Sequence, residues 1–244
     1  MAEVVLEKKL NQAFNKGQDA LDSGNWLMAV QWFRKCIEID PKYAPAYHEL
    51  ADIYFHNAQY DAALEVIIEA IKLDPDDMES TFALASVYVA QEKFLEALRV
   101  FKRLEQEAPE FAPELYYDMG VCYKNLGYPD YALDYLKLAL EDDPSYFECL
   151  EIIGKLHFDA GRLDEAKKSF KAILDADPGN VDAHHMLGDI YAKEMDWDAS
   201  IKEWETVLNI SPKTDEALRT LAITSITDAK ALKKTKDKKE SKEK

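Results

Sequence analysis

Two short segments carry histidine and aspartate at a spacing that would suit acid–base or metal chemistry. In AYHELADIYF, His48 precedes Asp52 by four residues, and in AHHMLGDIYA, His185 precedes Asp189 by the same interval. Residues four apart share one face of a helix, so each pair could interact by roughly 0.2–0.5 kcal/mol. A zinc site would need three or four converging ligands, which neither pair supplies alone.

The rest of the sequence adds no catalytic motif, and we expect neither a metal ion nor a cofactor. There is no HExxH zinc motif, no glycine-rich phosphate loop and no paired nucleophile and base. Cys36, Cys122 and Cys149 are scattered without CxxC spacing, which argues against a disulfide framework. His157 and His184 are expected to pack within the fold. An enzyme is therefore the weakest hypothesis, and the protein is predicted to be non-catalytic.

The charge of the chain is unevenly distributed. The net formal charge of the 244 residues is −17, and residues 230–244 contribute eight lysines against three acids, or +5. The remaining residues therefore carry −17 − 5 = −22. A field of that sign repels nucleic-acid phosphates and favours basic partners, so we expect no DNA or RNA ligand.

The compartment is predicted from the N-terminus and from the apolar runs. The first ten residues, MAEVVLEKKL, lack the charged and apolar regions of a signal peptide, and no apolar run is long enough to span a bilayer. Three scattered cysteines fit a reducing compartment. We therefore expect a cytoplasmic protein that does not insert directly into a membrane.

An internal repeat accounts for the two histidine segments. Six prolines recur at intervals of 34, 34, 35, 34 and 34 residues: Pro41, Pro75, Pro109, Pro144, Pro178 and Pro212. The 137 residues between His48 and His185 equal four of these intervals, so both histidines occupy the same place in a repeated unit. Pairs that lie four units apart cannot converge on one metal ion within a single molecule.

Each proline marks position 32 of a unit, which sets the units at 10–43, 44–77, 78–111, 113–146, 147–180 and 181–214. Position 8 is small in every unit: Gly17, Ala51, Ala85, Gly120, Gly154 and Gly188. Position 24 is large and apolar: Phe33, Ile67, Phe101, Leu136, Phe170 and Trp204. Small residues beside bulky ones let two helices pack closely. Each unit is therefore predicted to be a helical hairpin that ends before its proline.

This pattern resembles the tetratricopeptide repeat family over roughly residues 10–214. The resemblance implies an all-α fold, namely a right-handed α-solenoid of six helix-turn-helix repeats that bury their apolar faces by stacking. An apolar stripe in residues 215–232 predicts a C-terminal cap helix. Residues 1–9 are predicted to extend the first helix, and the lysine-rich residues 233–244 to form a disordered tail.

The resemblance also implies a concave groove, lined in this family by the first helix of each repeat. Fifteen residues are expected to form it: Phe14, Gln18, His48, Asp52, Phe55, Phe82, Ser86, Glu114, Tyr117, Asp118, Glu151, Lys155, Phe158, His185 and Asp189. Position 2 adds acidic residues, among them Glu79, Glu148 and Asp182. Acids and rings together favour a peptide that bears lysine or arginine.

Two functions remain open at this point. The first is a scaffold or adaptor that binds a protein or peptide segment, with a preference for basic segments, in the acidic, aromatic-lined groove. The alternative is a self-assembling structural scaffold that forms homo-oligomers. In that alternative, the apolar side chains of Val4, Val5 and Leu6 dock into the groove or onto the last repeat of a second copy.

Overall fold

A computed structural model describes residues 2–108, 112–212 and 215–240. These residues form thirteen helices and no strand: α1 (Ala2–Asp22), α2 (Trp26–Ile39), α3 (Ala44–His56), α4 (Tyr60–Leu73), α5 (Met78–Ala90), α6 (Phe94–Glu107), α7 (Ala112–Asn125), α8 (Pro129–Asp142), α9 (Phe147–Asp159), α10 (Leu163–Ala176), α11 (Val181–Lys193), α12 (Trp197–Ile210) and α13 (Glu216–Glu240). The prediction of an all-α solenoid is confirmed. Pro109, the end of the third predicted unit at 111, the end of the sixth at 213–214 and tail residues 241–244 lie outside the described residues.

The second helix of a hairpin ends where the sequence places an aspartate before a proline. Asp40 follows α2 with φ −135° and ψ 101°, and Asp74 follows α4 with φ −138° and ψ 96°. These extended conformations are expected before proline, because its ring crowds a helical residue in front of it. The next helix then starts from a new cap, as Asp77 shows by accepting a hydrogen bond from the Ser80 amide at 3.2 Å.

The turn inside every hairpin contains one left-handed residue, always at position 15 of the unit. Three are glycines and three are not: Gly24, Ala58, Glu92, Gly127, Gly161 and Met195, with φ between 54° and 81°. A left-handed residue stops the first helix and turns the chain back towards the second. A Cβ atom is strained in this conformation by roughly 1–2 kcal/mol, so the three non-glycine turns are costly.

Close approach at positions 8 and 24 holds the two helices of a hairpin together. A methyl group on Gly17 would lie 2.6 Å from the ring of Phe33, and one on Gly154 would lie 2.7 Å from the ring of Phe170. Both rings are fully buried. The bulky side chain therefore packs directly on the backbone of the facing helix, as the alternation of small and large residues predicts.

The chain divides into two compact units, residues 1–132 and 133–244. In the first unit, α1–α2, α3–α4 and α5–α6 pair as hairpins, and each hairpin packs on the next element through α2 on α3, α4 on α5 and α6 on α7. Contacts of α3 with α5 and of α5 with α7 place these first helices in one layer. In the second unit, α9–α10 and α11–α12 pair, α10 packs on α11, and α12 packs on α13.

The C-terminal helix is longer than the sequence predicts. Helix α13 continues to Glu240, so the prediction of disorder is wrong for residues 233–240. This stretch contains neither glycine nor proline and is rich in lysine, which is compatible with a helix. Lys230 and Lys233 also pair with Glu205 and Asp198 of α12. None of the helices in the described ranges is both long enough and apolar enough to cross a membrane.

The left-handed turns generate a stability prediction. We expect Met195→Gly to raise the free energy of unfolding by roughly 1 kcal/mol, because glycine relieves the strain at φ 60°. Met195 is 62% exposed, so little packing is lost. The matched change is Gly161→Ala, where a methyl group meets nothing within 4 Å and only φ is strained. Gly161→Ala should lower the urea midpoint of unfolding measured by circular dichroism. A change of the midpoint in the same direction in both variants would contradict this account.

Candidate functional site

Part of the predicted groove forms a cleft between α3 and α5 in the first unit. The cleft has a volume of about 420 Å³ and is bordered by four of the predicted residues, Asp52 and Phe55 from α3 with Phe82 and Ser86 from α5. We call it the α3–α5 cleft. Asp52 is exposed and the other three side chains are half-buried, so the cleft presents a charged rim and aromatic walls.

The floor of the α3–α5 cleft is apolar. Ala51, Ala83 and Val87 line it from α3 and α5, and Ile67 lies beneath them on α4. Ile67 occupies position 24, where the first and third hairpins carry phenylalanine. A branched aliphatic side chain is smaller than a phenyl ring. We infer that this difference, together with the small Ala51 and Ala83, leaves the space that the cleft occupies.

Two carboxylates at the cleft have no lysine or arginine partner among the residues that the structure describes. Glu79, at position 2 of its unit, lines the cleft with Asp52, and its side chain is 76% exposed. Its charged contact is with His48, whose Nδ1 lies 3.8 Å from the Glu79 Oε2 atom. Within the described ranges, no lysine or arginine forms an ion pair with Asp52 or Glu79. A cation from outside the chain therefore finds unneutralised carboxylates here.

His48 is paired, but with a different residue than its spacing predicts. Its Nε2 atom lies 2.7 Å from the Asp77 carboxylate and 3.0 Å from the Ser80 hydroxyl, beside a pocket of about 110 Å³ that Asp52 also lines. The predicted interaction with Asp52 is replaced by one that joins α3 to the cap of α5. Burial raises the pKa of Asp77, but hydrogen bonds from Ser80 and His48 outweigh it and hold that pKa below its ordinary value. We call His48, Asp77 and Ser80 the histidine clasp.

Other predicted groove residues of the first unit are engaged in packing or lie apart from the cleft lining. Phe14 packs against the rings of Phe33 and Tyr43, at centroid distances of 5.3 and 5.5 Å. Gln18 donates a hydrogen bond to Glu49 at 2.6 Å, which links α1 to α3. The remaining three residues are on α7, where Glu114 is exposed and Tyr117 and Asp118 are half-buried.

In the second unit, basic side chains of the unit itself cover acidic and aromatic groups of the predicted groove. Lys155 forms an ion pair with Glu151 on the same helix. The Lys193 ammonium lies 3.6 Å from the centroid of the Phe158 ring. A ligand would have to displace these lysines, so this surface is a weaker candidate for binding a cation than the α3–α5 cleft.

The second histidine pair is also held by its own unit. The His185 ring meets the Trp204 ring edge-on at 4.4 Å, and Trp204 in turn packs on Gly188. Burial raises the pKa of Asp189, an effect that the nearby His185 and Lys193 oppose. His185 lies one helical turn before Asp189 on α11, so the two side chains share one face of that helix.

His184 and His157 form hydrogen bonds within the fold, and the Cys122 thiol is buried. His184 lies 2.6 Å from the Glu203 carboxylate and 3.1 Å from the Pro178 carbonyl, and His157 accepts a hydrogen bond from Arg162 at 2.9 Å. Burial raises the pKa of the Cys122 thiol to about 12, which disfavours the reactive thiolate. In the part of the chain that the structure describes, no three His, Cys, Asp or Glu residues are grouped to hold a metal ion.

Sequence reasoning missed two contributors to this site. His56 lines the cleft next to Asp52, and its Nδ1 atom lies 2.8 Å from the Asp52 carbonyl oxygen. Asp77 forms the histidine clasp from the loop before α5. A clue to Asp77 was available, because aspartate before a helix commonly caps it and places its carboxylate near that helix. Nothing in the sequence indicated that the His56 side chain would line the cleft.

Asp118 generates a prediction about pH. Burial, followed by repulsion from Glu114, raises the pKa of Asp118 to about 7. The folded chain therefore binds a proton that the unfolded chain releases near pH 4, and this stabilising contribution is lost as the pH rises towards 7. We expect Asp118→Asn to raise the urea midpoint at pH 8 and to leave it nearly unchanged at pH 4. An equal effect at both pH values would contradict the assignment.

Comparison with known sequences identifies the repeat. Sequence profiles described as tetratricopeptide repeat match four overlapping or successive segments, which together cover most of the chain: residues 14–43, 32–65, 82–147 and 157–223. Proteins of this family mediate protein–protein interactions in general.

Curated relatives share the repeat over a small part of their own length. Superkiller complex protein 3 of Homo sapiens is 26% identical over 141 residues, which are 55% of this chain and 9% of the relative. Tetratricopeptide repeat protein 16 of Macaca fascicularis is 26% identical over 152 residues, which are 59% of this chain and 15% of the relative. The chain therefore spans less than a sixth of the length of either relative.

Solved structures share the fold over most of their length. YrrB, a tetratricopeptide repeat protein described as having an unusual peptide-binding site, is 27% identical with a TM-score of 0.61, and 79% of this chain and 97% of YrrB are covered. PilW, a type IV pilus biogenesis factor, is 19% identical with a TM-score of 0.75, and the match covers 87% of this chain and 97% of PilW. The stacked hairpins, the recurring small and bulky positions and these matches agree, and the chain belongs to the tetratricopeptide repeat family.

Proposed function

We propose that this protein is a non-catalytic scaffold or adaptor that binds a basic peptide segment in the α3–α5 cleft. One observation carries the proposal: Asp52 and Glu79 lack lysine and arginine partners among the described residues and share a cleft with the rings of Phe55 and Phe82. A lysine or arginine side chain has an apolar stem and a cationic end. The stem matches the apolar floor, and the charged end matches the carboxylates and the faces of the rings.

The fold supports this function by holding the cleft in place before a ligand arrives. Helices α3 and α5 are fixed by α4, which packs against both, and by the histidine clasp. Because the site is already ordered, it loses little conformational entropy on binding. Most of the loss falls on the ligand, at roughly 1–2 kcal/mol per ordered backbone residue. We therefore expect modest affinity and rapid exchange of partners.

A solved relative adds support. YrrB is 27% identical to this chain, and a peptide-binding site is attributed to it. Transfer of peptide binding to this chain is part of our proposal, as is the placement of the site in the α3–α5 cleft. The cytoplasmic location stays a prediction from the sequence.

Selection from a library of displayed random peptides tests the proposal. We expect the wild-type chain to enrich peptides that contain lysine or arginine, and Asp52→Asn/Glu79→Gln to lose that enrichment. Binding should also weaken as ionic strength rises, because salt screens the exposed carboxylates. The matched control is Glu148→Gln/Asp182→Asn, which removes the same charge from exposed residues of the second unit and should leave enrichment intact. Enrichment without a basic bias, or equal loss in both double variants, would refute the proposal.

Self-assembly is the second candidate, and one observation favours it. Val4, Val5 and Leu6 are 66%, 54% and 48% exposed on α1, although they are apolar. If this surface joins copies of the chain, the average mass in analytical ultracentrifugation should rise with concentration. Replacing all three residues by serine should then keep the protein monomeric. A constant mass of the wild-type chain over the accessible concentrations would exclude this candidate.

A further inference from the structure

The polar groups around the α3–α5 cleft share one property, which is that each offers a hydrogen-bond acceptor. Asp52 and Glu79 contribute carboxylate oxygens. The Ser86 hydroxyl donates its proton to the Phe82 carbonyl at 3.2 Å, so its oxygen lone pairs remain available. These three residues therefore present several acceptors to the cleft, and the one donor among them, the Ser86 hydroxyl, is already engaged with the Phe82 carbonyl.

His56 adds a fourth acceptor. Its Nδ1 atom lies 2.8 Å from the carbonyl oxygen of Asp52, and a carbonyl oxygen can only accept. Nδ1 must therefore carry the hydrogen in this contact, which leaves Nε2 of the neutral ring with a free lone pair. His56 lines the cleft together with Asp52, Glu79 and Ser86, and we infer that this lone pair is a further acceptor for a ligand in the cleft.

We propose that the α3–α5 cleft selects arginine over lysine in the peptide that it binds. The inference rests on the proposed function and specifies its ligand. A guanidinium group has five N–H donors in a plane and no acceptor, so it can contact several acceptors at once. A lysine ammonium carries its three donors on a single atom, holds its hydration more strongly and cannot spread them over the same surface.

The aromatic walls support the same choice. Phe55 of α3 and Phe82 of α5 are half-buried, and both line the cleft together with the small residues Ala51 and Ala83. A flat guanidinium stacks on a phenyl ring, and its weaker hydration lowers the cost of entering a cleft with an apolar floor. Charge alone would serve both basic side chains equally, whereas the rings and the dispersed acceptors favour arginine.

Three heptapeptides test the inference: Gly-Ser-Ala-Xaa-Ala-Ser-Gly with arginine, lysine or citrulline at the centre. Citrulline keeps a planar group with N–H donors but is uncharged and carries an acceptor oxygen. We would titrate each peptide into the full-length chain and follow the methyl signals of alanine and isoleucine by NMR. We expect the arginine peptide to bind about five- to tenfold more tightly than the lysine peptide, and more tightly still than citrulline.

Two variants assign the preference to the cleft. Glu79→Gln should weaken binding of the arginine peptide and narrow its advantage over the lysine peptide. Glu96→Gln, which removes an exposed carboxylate of α6 outside the predicted groove, should leave both affinities unchanged. Equal affinity for arginine and lysine, with loss of both in Asp52→Asn/Glu79→Gln, would overturn the selectivity and leave the proposed function standing. Absence of binding by either basic peptide would contradict both. An arginine preference that survives Glu79→Gln would also overturn the inference, because it would arise elsewhere.

Discussion

The direct packing of a bulky side chain on the backbone of the facing helix is the contact on which the rest of the structure depends. A ring at position 24 fills the space above a residue at position 8 that has no side chain, or only a methyl group, to displace it. Gly17 with Phe33, Gly154 with Phe170 and Gly188 with Trp204 all show this geometry. Because it fixes the first helix of a hairpin against the second, it also fixes which side chains of the first helix remain outside the core.

The α3–α5 cleft arises from a variation of this contact. Where neighbouring hairpins place phenylalanine over a small residue, the second hairpin combines Ala51 with Ile67, and both residues line the cleft. The second hairpin still packs a larger side chain over a small one, but the side chain at position 24 has a smaller volume than phenylalanine. We therefore infer that the same repeated architecture leaves a cleft between neighbouring hairpins where the smaller Ile67 lies beside Ala51 and Ala83. In our proposal, the acids on the rim give the cleft its preference for a basic side chain.

The fold followed from the sequence because its signal is periodic and is repeated six times. Small and bulky positions in register, with a proline after the second helix, specify each hairpin by local packing and backbone sterics. The partners of the site residues were harder to predict. His48 and Asp52 lie on one helix face by spacing, yet His48 pairs with Asp77, 29 residues away, because hairpin stacking brings the loop before α5 close to α3. Burial of Asp118 and the extent of α13 likewise depend on neighbouring helices, which spacing within one element does not reveal.

The histidine clasp has a consequence for how the first unit unfolds. Repeat arrays are held together by couplings between nearest neighbours, and each coupling adds to the cooperativity of the whole. The clasp joins the second hairpin to the third, and the α3–α5 cleft is built from the same two hairpins. A ligand in the cleft would therefore act on the same junction as the clasp. The bound ligand would make partial opening between these hairpins rarer. Binding would therefore slow amide hydrogen exchange at the junction without any change in the shape of the unit.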